Sequence, residues 1–399
     1  MKSKFSLETH IPTLELLATG RQSLSAGELK KSAAALVSLQ RGLTGSRVHV
    51  GESYMEDKAL FSAYLLYYWP VSYMQMSHIL RPLYAMLSKR YDRRQRFSIL
   101  DVGSGPAPAS AAVCDALSSV FGAGIQADVT LQDHSPRALN VAKKIFERDF
   151  PAISVQTHIS HFETAEAGSP GSRYDIIVMC HALNELWKND ENRILKRTEF
   201  LHTLSHSLTE GGFLIVCEPA LLTTSRDLLN VRDNLVSTGG LQLLAPCVGS
   251  SACPALSQGP NVTCHADVSW EPVEPVARLA SLAGLDRQSV KMTYLVLSNT
   301  NTAADHTITA PCTKQHLDQL RGLVVSEGML NKSGRIRFVL CDGSKRFTVS
   351  AKKGDAVATR LGFFDLHRYD SIIITNPEIR GDASNPSYGI QESTTLTIE

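Results

Sequence analysis

"FSILDVGSGPAPAS", Phe97 to Ser110, is the stretch whose reading decides the fold. A short apolar run ends in the glycine turn Gly103-Ser104-Gly105, and the small-residue helix "PAPASAAVCDALSSV" follows. The same alternation continues downstream. "DVTLQDHS" reads as a second strand and "PRALNVAKKIFERDF" as its helix. "YDIIVMCHALNEL" is another buried strand. "ENRILKRTEFLHTLSHSL", the turn "TEGG" and the strand "FLIVCEPA" come next. A helix in "PVARLASLAGL" then precedes "KMTYLVLSN", a strand able to complete the sheet. Strands alternating with helices imply an α/β fold, a doubly wound parallel sheet with helices on both faces.

Working outward, residues 1–92 read as an N-terminal helical region. "SAGELKKSAAALVSLQRGL" has amphipathic spacing behind a Ser, and Pro70 is expected to kink or break the helical stretch that contains it. The core spans 93–300, with a cysteine-rich insertion at 243–270. After the linker "SNTNTAADHTITAP" comes a β-rich basic segment, 301–375. There "GRIRFVLCDGSKRFTVSAKKGD" signals a hairpin across Asp342-Gly-Ser-Lys345. Residues 376–399 are polar and expected to form a mobile tail. No internal repeat is present.

Composition narrows the function classes. Over 399 residues, 43% are hydrophobic and 20% charged, as in a globular protein, and a net charge of +1 gives no case for a globally basic nucleic-acid binder. The longest apolar candidate, "LFSAYLLYYWPVSYM", is too short for a bilayer and carries a proline. The N-terminus has no apolar signal region, and Glu8 and Glu15 disfavour an acid-poor presequence. A cytoplasmic protein is expected, with no membrane partner. Charge and composition say nothing of assembly, and a monomer is the expectation. Cys114, Cys180 and Cys217 sit among apolar or small residues and read as buried small hydrophobes.

The glycine turn carries the first candidate site. Asp101 opens it, Gly103 and Gly105 allow a ligand to approach the backbone, and Asp133 ends the next strand, where a carboxylate can accept hydrogen bonds from ribose hydroxyls. Asp133 could equally cap the helix behind Ser135-Pro136. A dinucleotide fingerprint needs a third glycine where Pro108 stands, so that reading fails. The segment instead resembles the nucleotide-binding loop of S-adenosylmethionine-dependent class I methyltransferases. That resemblance implies a methyl-donor site at Asp101, Gly103, Gly105 and Asp133. "CHALNEL", with His181, Asn184 and Glu185, falls where the family lines its reaction centre, although these residues could simply end a strand and cap a helix. Asn-Pro-Pro-Tyr and similar catalytic sequences are missing there, so catalytic residues and the methyl acceptor are not readable.

The second candidate site is "LLAPCVGSSACPALSQGPNVTCHADVSW", Leu243 to Trp270, which holds Cys247, Cys253 and Cys264. Thiolates on a Gly/Pro/Ser loop suit a soft metal. Three are too few for a closed tetrahedral site. Cys341, just before the hairpin turn, is the first candidate for the fourth ligand, with Cys312 and His265 as alternatives. Zinc knuckles of the C-x-x-C kind are missing, and four widely spaced thiolates suit an iron–sulfur cluster as well or better.

The order of these parts resembles a methyltransferase-like family of small-ribosomal-subunit assembly proteins, known from mitochondrial ribosomes and with bacterial members. The order runs from a methyltransferase core and "CEPA" through "LLAPC…ACP…C" and "KMTYLVLS" to the "LC-DG" hairpin. The resemblance covers roughly residues 60 to 365. It implies a 4Fe-4S cluster on Cys247, Cys253, Cys264 and Cys341, with zinc as the alternative, and S-adenosylmethionine as the other cofactor. It also implies binding to the small ribosomal subunit or its rRNA. Arg335, Arg337, Lys345 and Arg346 of the hairpin are the candidate phosphate contacts; they could instead keep an edge hairpin soluble. Where family members carry Pro-His after the first cysteine, this chain has Val248-Gly249.

Overall fold

The computed structural model describes residues 6–21, 23–45, 54–92, 94–164, 167, 171–247, 249, 251–285, 288–299, 319–380 and 387–398. Cys312, Val248 and nearly all of the expected linker lie outside them.

The N-terminal region is helical. It comprises α1 (Ile11–Thr19), α2 (Ala26–Gln40), α3 (Lys58–Ala63), α4 (Trp69–Leu80) and α5 (Tyr84–Arg90). Ser25 and Glu28 close a reciprocal capping box on α2, and the Asp57 carboxylate accepts from the first free N–H groups of α3. The regular helix is interrupted just ahead of Pro70, as the sequence leads one to expect. The turn before it, Tyr64–Tyr68, widens so that Trp69 N–H reaches Tyr64 O, and Pro70 enters α4 in its first turn. The wider turn accommodates the ring, and the first turn of a helix does not need the missing N–H.

His10, ahead of α1, pins this region to the core. Its Nε2 donates to Asp115 (2.9 Å) and its Nδ1 to Asp149 (2.8 Å). Both partners accept only, so both ring nitrogens carry protons. Burial opposes that charge, but the two carboxylates outweigh it and raise the pKa to about 9.

The core sheet contains β1 (Arg96–Val102), β2 (Gln126–Asp133), β3 (Ser154–Ile159), β4 (Tyr174–Cys180), β5 (Leu208–Pro219), β6 (Gln242–Ala245), β7 (Ala266–Ser269) and β8 (Ser289–Ser298). Its order is β3-β2-β1-β4-β5-β8-β6, with β7 also on β8. β1 to β5 are parallel, and β8 runs antiparallel to β5 and β6. The helices between strands are α6 (Pro108–Phe121), α7 (Pro136–Asp149), α8 (Arg193–Ser205), α9 (Leu222–Thr238), α10 (Pro254–Ser257) and α11 (Glu274–Ala283). One face of the sheet packs on the N-terminal helices with α6, α7 and α11; the other packs on α8 and α9. This is a doubly wound, Rossmann-like α/β sheet.

β3, β6 and β7 were not legible: β3 lies at the sheet edge and is mostly exposed, while β6 and β7 have four residues each. "TEGG" is no turn. It lies inside β5, where Gly211 takes φ +73° and the register against β4 shifts.

A second sheet follows: β9 (Gln319–Val324), β10 (Met329–Leu330), β11 (Arg335–Cys341), β12 (Arg346–Lys352), β13 (Ser371–Thr375), β14 (Glu378–Arg380), β15 (Ser387–Gly389) and β16 (Thr395–Ile398), with the short helix α12 (Ala356–Arg360). The β11–β12 hairpin turns where the sequence placed it. Residues 376–399, expected as a mobile tail, instead supply three strands. β16 pairs with β13, and β15 pairs with β12. Backbone pairing to existing strands holds them in place, and Tyr388 and Leu396 pack on the core of this sheet.

Candidate functional site

Two centres are assembled, one at the carboxyl ends of the parallel strands and one where the core meets the second sheet. β1 neighbours β2 on one side and β4 on the other, so the crevice at their carboxyl ends is a topological switch point, where open α/β sheets take ligands. The glycine turn sits there. Gly103 N and Ser104 N donate to Gln132 O at 2.8 and 3.0 Å. A side chain on Gly103 would meet Ala182 Cβ at 2.3 Å, and Gly103 and Gly105 both have positive φ. Only glycine at 103 lets the turn and the segment after β4 lie this close.

Asp101 and Asp133 brace the turn. Asp101 is fully buried, and its Oδ2 accepts from Ser110 Oγ (2.6 Å) and Ser110 N (3.2 Å) in the first turn of α6. Its Oδ1 is buried without a partner, and burial raises its pKa to about 7. Asp133 accepts from Gly105 N through Oδ2 and from Ser135 N through Oδ1, both at 2.8 Å. It therefore fixes the glycine turn and holds Ser135, the residue that caps α7, while each oxygen keeps a lone pair. Tyr54, Tyr64 and Tyr68 form an aromatic wall, with ring centroids 6.2 and 5.8 Å apart in successive pairs. Burial, with Cys180, Asp133 and Glu185 nearby, keeps the Tyr64 phenol neutral. Met55 and Glu56 lie across the turn, and Ser135 Oγ donates to Glu56 at 2.7 Å.

His181 stands at the end of β4 with φ +61°, a strained value for a side chain of its size. Its Nε2 lies 2.7 Å from Gln75 Oε1. Cys180 and Cys217 are direct neighbours in the β4–β5 register, and the two sulfurs and a His181 ring nitrogen lie within 4.8 Å of one another. The sequence reading of Cys180 and Cys217 as small hydrophobes missed this convergence. The available signal was the repetition of Cys-His and Cys-Glu at the ends of two successive strands. Glu218, next along β5, is buried; its Oε1 accepts from Asn184 N at 3.3 Å and its Oε2 has no partner.

The second centre is a cavity lined by Cys247, Cys253, Cys264 and Cys341, with Arg232, Tyr369 and Arg346 among its walls. The insertion and the hairpin are joined directly around it. Ser251 Oγ donates to Gly343 O (2.9 Å) and Arg346 Nη2 to Thr263 O (3.0 Å). Gly249 approaches Gly343 so closely that a Cβ would sit 3.3 Å from its Cα. Cys264 Sγ lies 3.3 Å from Tyr369 Oη. Arg232, only 2% exposed, donates to Gly249 O and Ser251 O and pairs with Asp233, whose carboxylate also accepts from Cys253 N. Burial pushes the Cys247 thiol up to about 12 despite Arg232, and the Cys341 thiol to about 11. Sequence reasoning missed Arg232, a cation in the middle of a helix whose partners are backbone carbonyls far along the chain.

The four hairpin cations do not form one patch. Arg335 is tied to Ser350 and Arg346 is turned into the thiol cavity, which leaves Arg337 and Lys345 exposed. Among the described residues no helix is long and apolar enough to cross a membrane.

Residues 59–335 match the sequence model of a family described as mitochondrial small ribosomal subunit Rsm22. No curated protein matches the chain. Similar solved structures include one assigned as a class I S-adenosylmethionine-dependent methyltransferase from Listeria monocytogenes, at 13% identity and TM-score 0.35, over 70% of this chain and 90% of that one. A methyltransferase from Pyrococcus furiosus is similar at 11% identity and TM-score 0.31, over 55% of this chain and 82% of that one.

Proposed function

This chain belongs to the Rsm22 family of mitochondrial small-ribosomal-subunit proteins, and from that premise we propose that it is a small-subunit assembly factor that binds S-adenosylmethionine and a 4Fe-4S cluster. The observation that carries the cluster is the meeting of Cys247, Cys253, Cys264 and Cys341, from two segments far apart in sequence, around one cavity. Such a cluster with four thiolates is anionic. Arg232 and Arg346, both lining the cavity, offset that charge.

Spacing favours a cluster over one ion. A tetrahedral zinc with bonds of about 2.3 Å holds its sulfurs about 3.8 Å apart. Among the described residues, no three of these four sulfurs converge within 4.8 Å. In a cubane each thiolate takes a different iron, so the ligands stand farther apart.

The cleft at the switch point suits the methyl donor. Gly103 and Gly105 keep the floor open, Asp133 offers its remaining lone pairs to a ribose, and Asp101 Oδ1 leaves a buried acceptor suited to a cation such as the donor's ammonium group. The bound donor supplies an electrophilic methyl group, and His181 and Glu218 lie where an acceptor would approach. The exposed Arg337 and Lys345 are the residues of the hairpin proposed to meet rRNA phosphates.

The test is anaerobic purification with iron and sulfide analysis, followed by co-sedimentation with small ribosomal subunits. Four irons and four sulfides per chain are expected, with cosedimentation that salt weakens. A colourless, zinc-loaded protein in the four-cysteine cavity would sink the cluster, and failure to co-sediment would sink the ribosomal role.

A further inference from the structure

The convergence of Cys180 and Cys217 on His181 is not explained by a methyl-donor cleft and a separate cluster. Three soft or borderline donors lie within 4.8 Å of one another at the ends of two adjacent parallel strands. Cys217 is fully buried, whereas Cys180 and His181 are half-buried.

The imidazole is oriented for ligation. Gln75 Nε2 donates to Lys291 O at 2.8 Å, which fixes the amide so that Oε1 faces His181. An amide oxygen only accepts, so His181 Nε2 must carry the proton. The lone pair is left on Nδ1, which is buried with no oxygen or nitrogen partner, and the Cys180 thiol is the group that interacts with the ring. A ring nitrogen oriented by an oxygen acceptor, with the other turned toward a second donor atom of the cluster, is the arrangement by which proteins aim histidine ligands. The strained backbone of His181 fits a position held for its side chain.

We propose that Cys180, His181 and Cys217 form a second, mononuclear metal site for a thiophilic divalent ion, zinc, whose fourth position opens toward Glu218 and the crevice. Two sulfurs and one nitrogen are a known zinc donor set when the fourth position is kept for water or substrate. Binding releases the two thiol protons. Two thiolates and a neutral imidazole around a divalent ion give no net charge, which suits a buried location. The unpartnered Glu218 Oε2 is then an acceptor for a water or an incoming nucleophile on the ion. The site shares no residue with the four-cysteine cavity, so it stands or falls separately.

The test uses the full chain purified anaerobically, exposed to zinc and freed of excess, then measured by metal analysis and zinc-edge X-ray absorption, to which iron does not contribute. One zinc per chain with two sulfur neighbours and one nitrogen neighbour is expected. Cys180→Ser and His181→Ala should lose it, and Cys253→Ser should keep it. Gln75→Ala, which removes only the orienting partner, should weaken zinc affinity about 10–100-fold in competition with a chelating dye. Because Cys217 sits in the packed core, Cys180 and His181 carry the test, with circular dichroism confirming their folding. Full zinc retention in folded Cys180→Ser and His181→Ala would overturn the proposal. So would a zinc with four sulfur neighbours that disappears in Cys253→Ser, a result that would also remove the cluster.

Discussion

The chain concentrates its sulfur chemistry in two places built on opposite plans. Cys180 and Cys217 occupy matching positions on neighbouring parallel strands, and the sheet exists whether or not anything binds them. Cys247, Cys253, Cys264 and Cys341 sit on a Gly/Pro/Ser loop and at a hairpin turn, in two modules whose contact includes a few hydrogen bonds and the close approach of Gly249 to Gly343. In the first place the fold positions the ligands. In the second, the proposed cluster would help position the fold, because a metal clip closes a long loop.

The largest expected effect falls on the second plan. Cys341→Ser should lose the iron and sulfide together and free the C-terminal sheet; in small metal domains a structural metal contributes on the order of 10 kcal/mol of folding free energy. Hydrogen exchange over 319–398 should rise sharply, whereas Cys180→Ser should leave it unchanged. Equal exchange in both variants would erase the distinction.

Acidity should act on the N-terminal anchor at His10 and on the thiol cavity with opposite sign. His10 has a folded pKa of about 9 against about 6.5 unfolded, so its contribution is full below about pH 6.5 and is lost as pH rises through 9. The shift corresponds to at most about 3 kcal/mol. Comparing denaturant unfolding of wild type and His10→Gln at pH 6 and pH 10 checks this: the difference should be large at pH 6 and small at pH 10. The thiol cavity runs the other way. Cys247 and Cys341 hold their protons up to about 12 and 11, and ligation must remove them, so iron retention against a chelator should improve as pH rises.

Gly103→Ala should disturb the strand-end crevice alone. A Cβ there meets Ala182 at 2.3 Å on a backbone with φ +71°, a combination expected to cost about 1–3 kcal/mol. Calorimetry should read S-adenosylmethionine binding at least about tenfold weaker, on the scale of 1.4 kcal/mol per decade, with iron content unchanged.

The smallest effects separate two hairpin cations. Arg337→Ala should leave the iron in place and lower the salt slope of subunit binding by about 1. Arg346→Ala removes the bond to Thr263 O and should act first on iron retention. A reversal of the two would return Arg346 to the RNA-facing group.

Legibility followed the range over which each feature is determined. The glycine turn was readable because strand, turn and helix are contiguous, and Gly103 and Gly105 announce a backbone that other residues resist. The β11–β12 hairpin was readable for the same local reason. Pro70 was readable too, because its ring interrupts a regular helix, and the turn before it widens over Tyr64–Tyr68. Residues 376–399 misled because their composition says nothing of the strand edges waiting at β12 and β13.

By itself, then, the sequence determined the alternating α/β core, the glycine turn after β1 and the presence of a cysteine-rich loop, all of them set by local periodicity and backbone preference. Only the tertiary structure decided which residues share a site: that Cys341 meets the loop, that buried Arg232 stands among the thiols, that Arg346 faces inward, and that Gln75 aims His181 beside Cys180 and Cys217. Those pairings are fixed by strand order and by packing between distant segments, and no spacing along the chain encodes them directly.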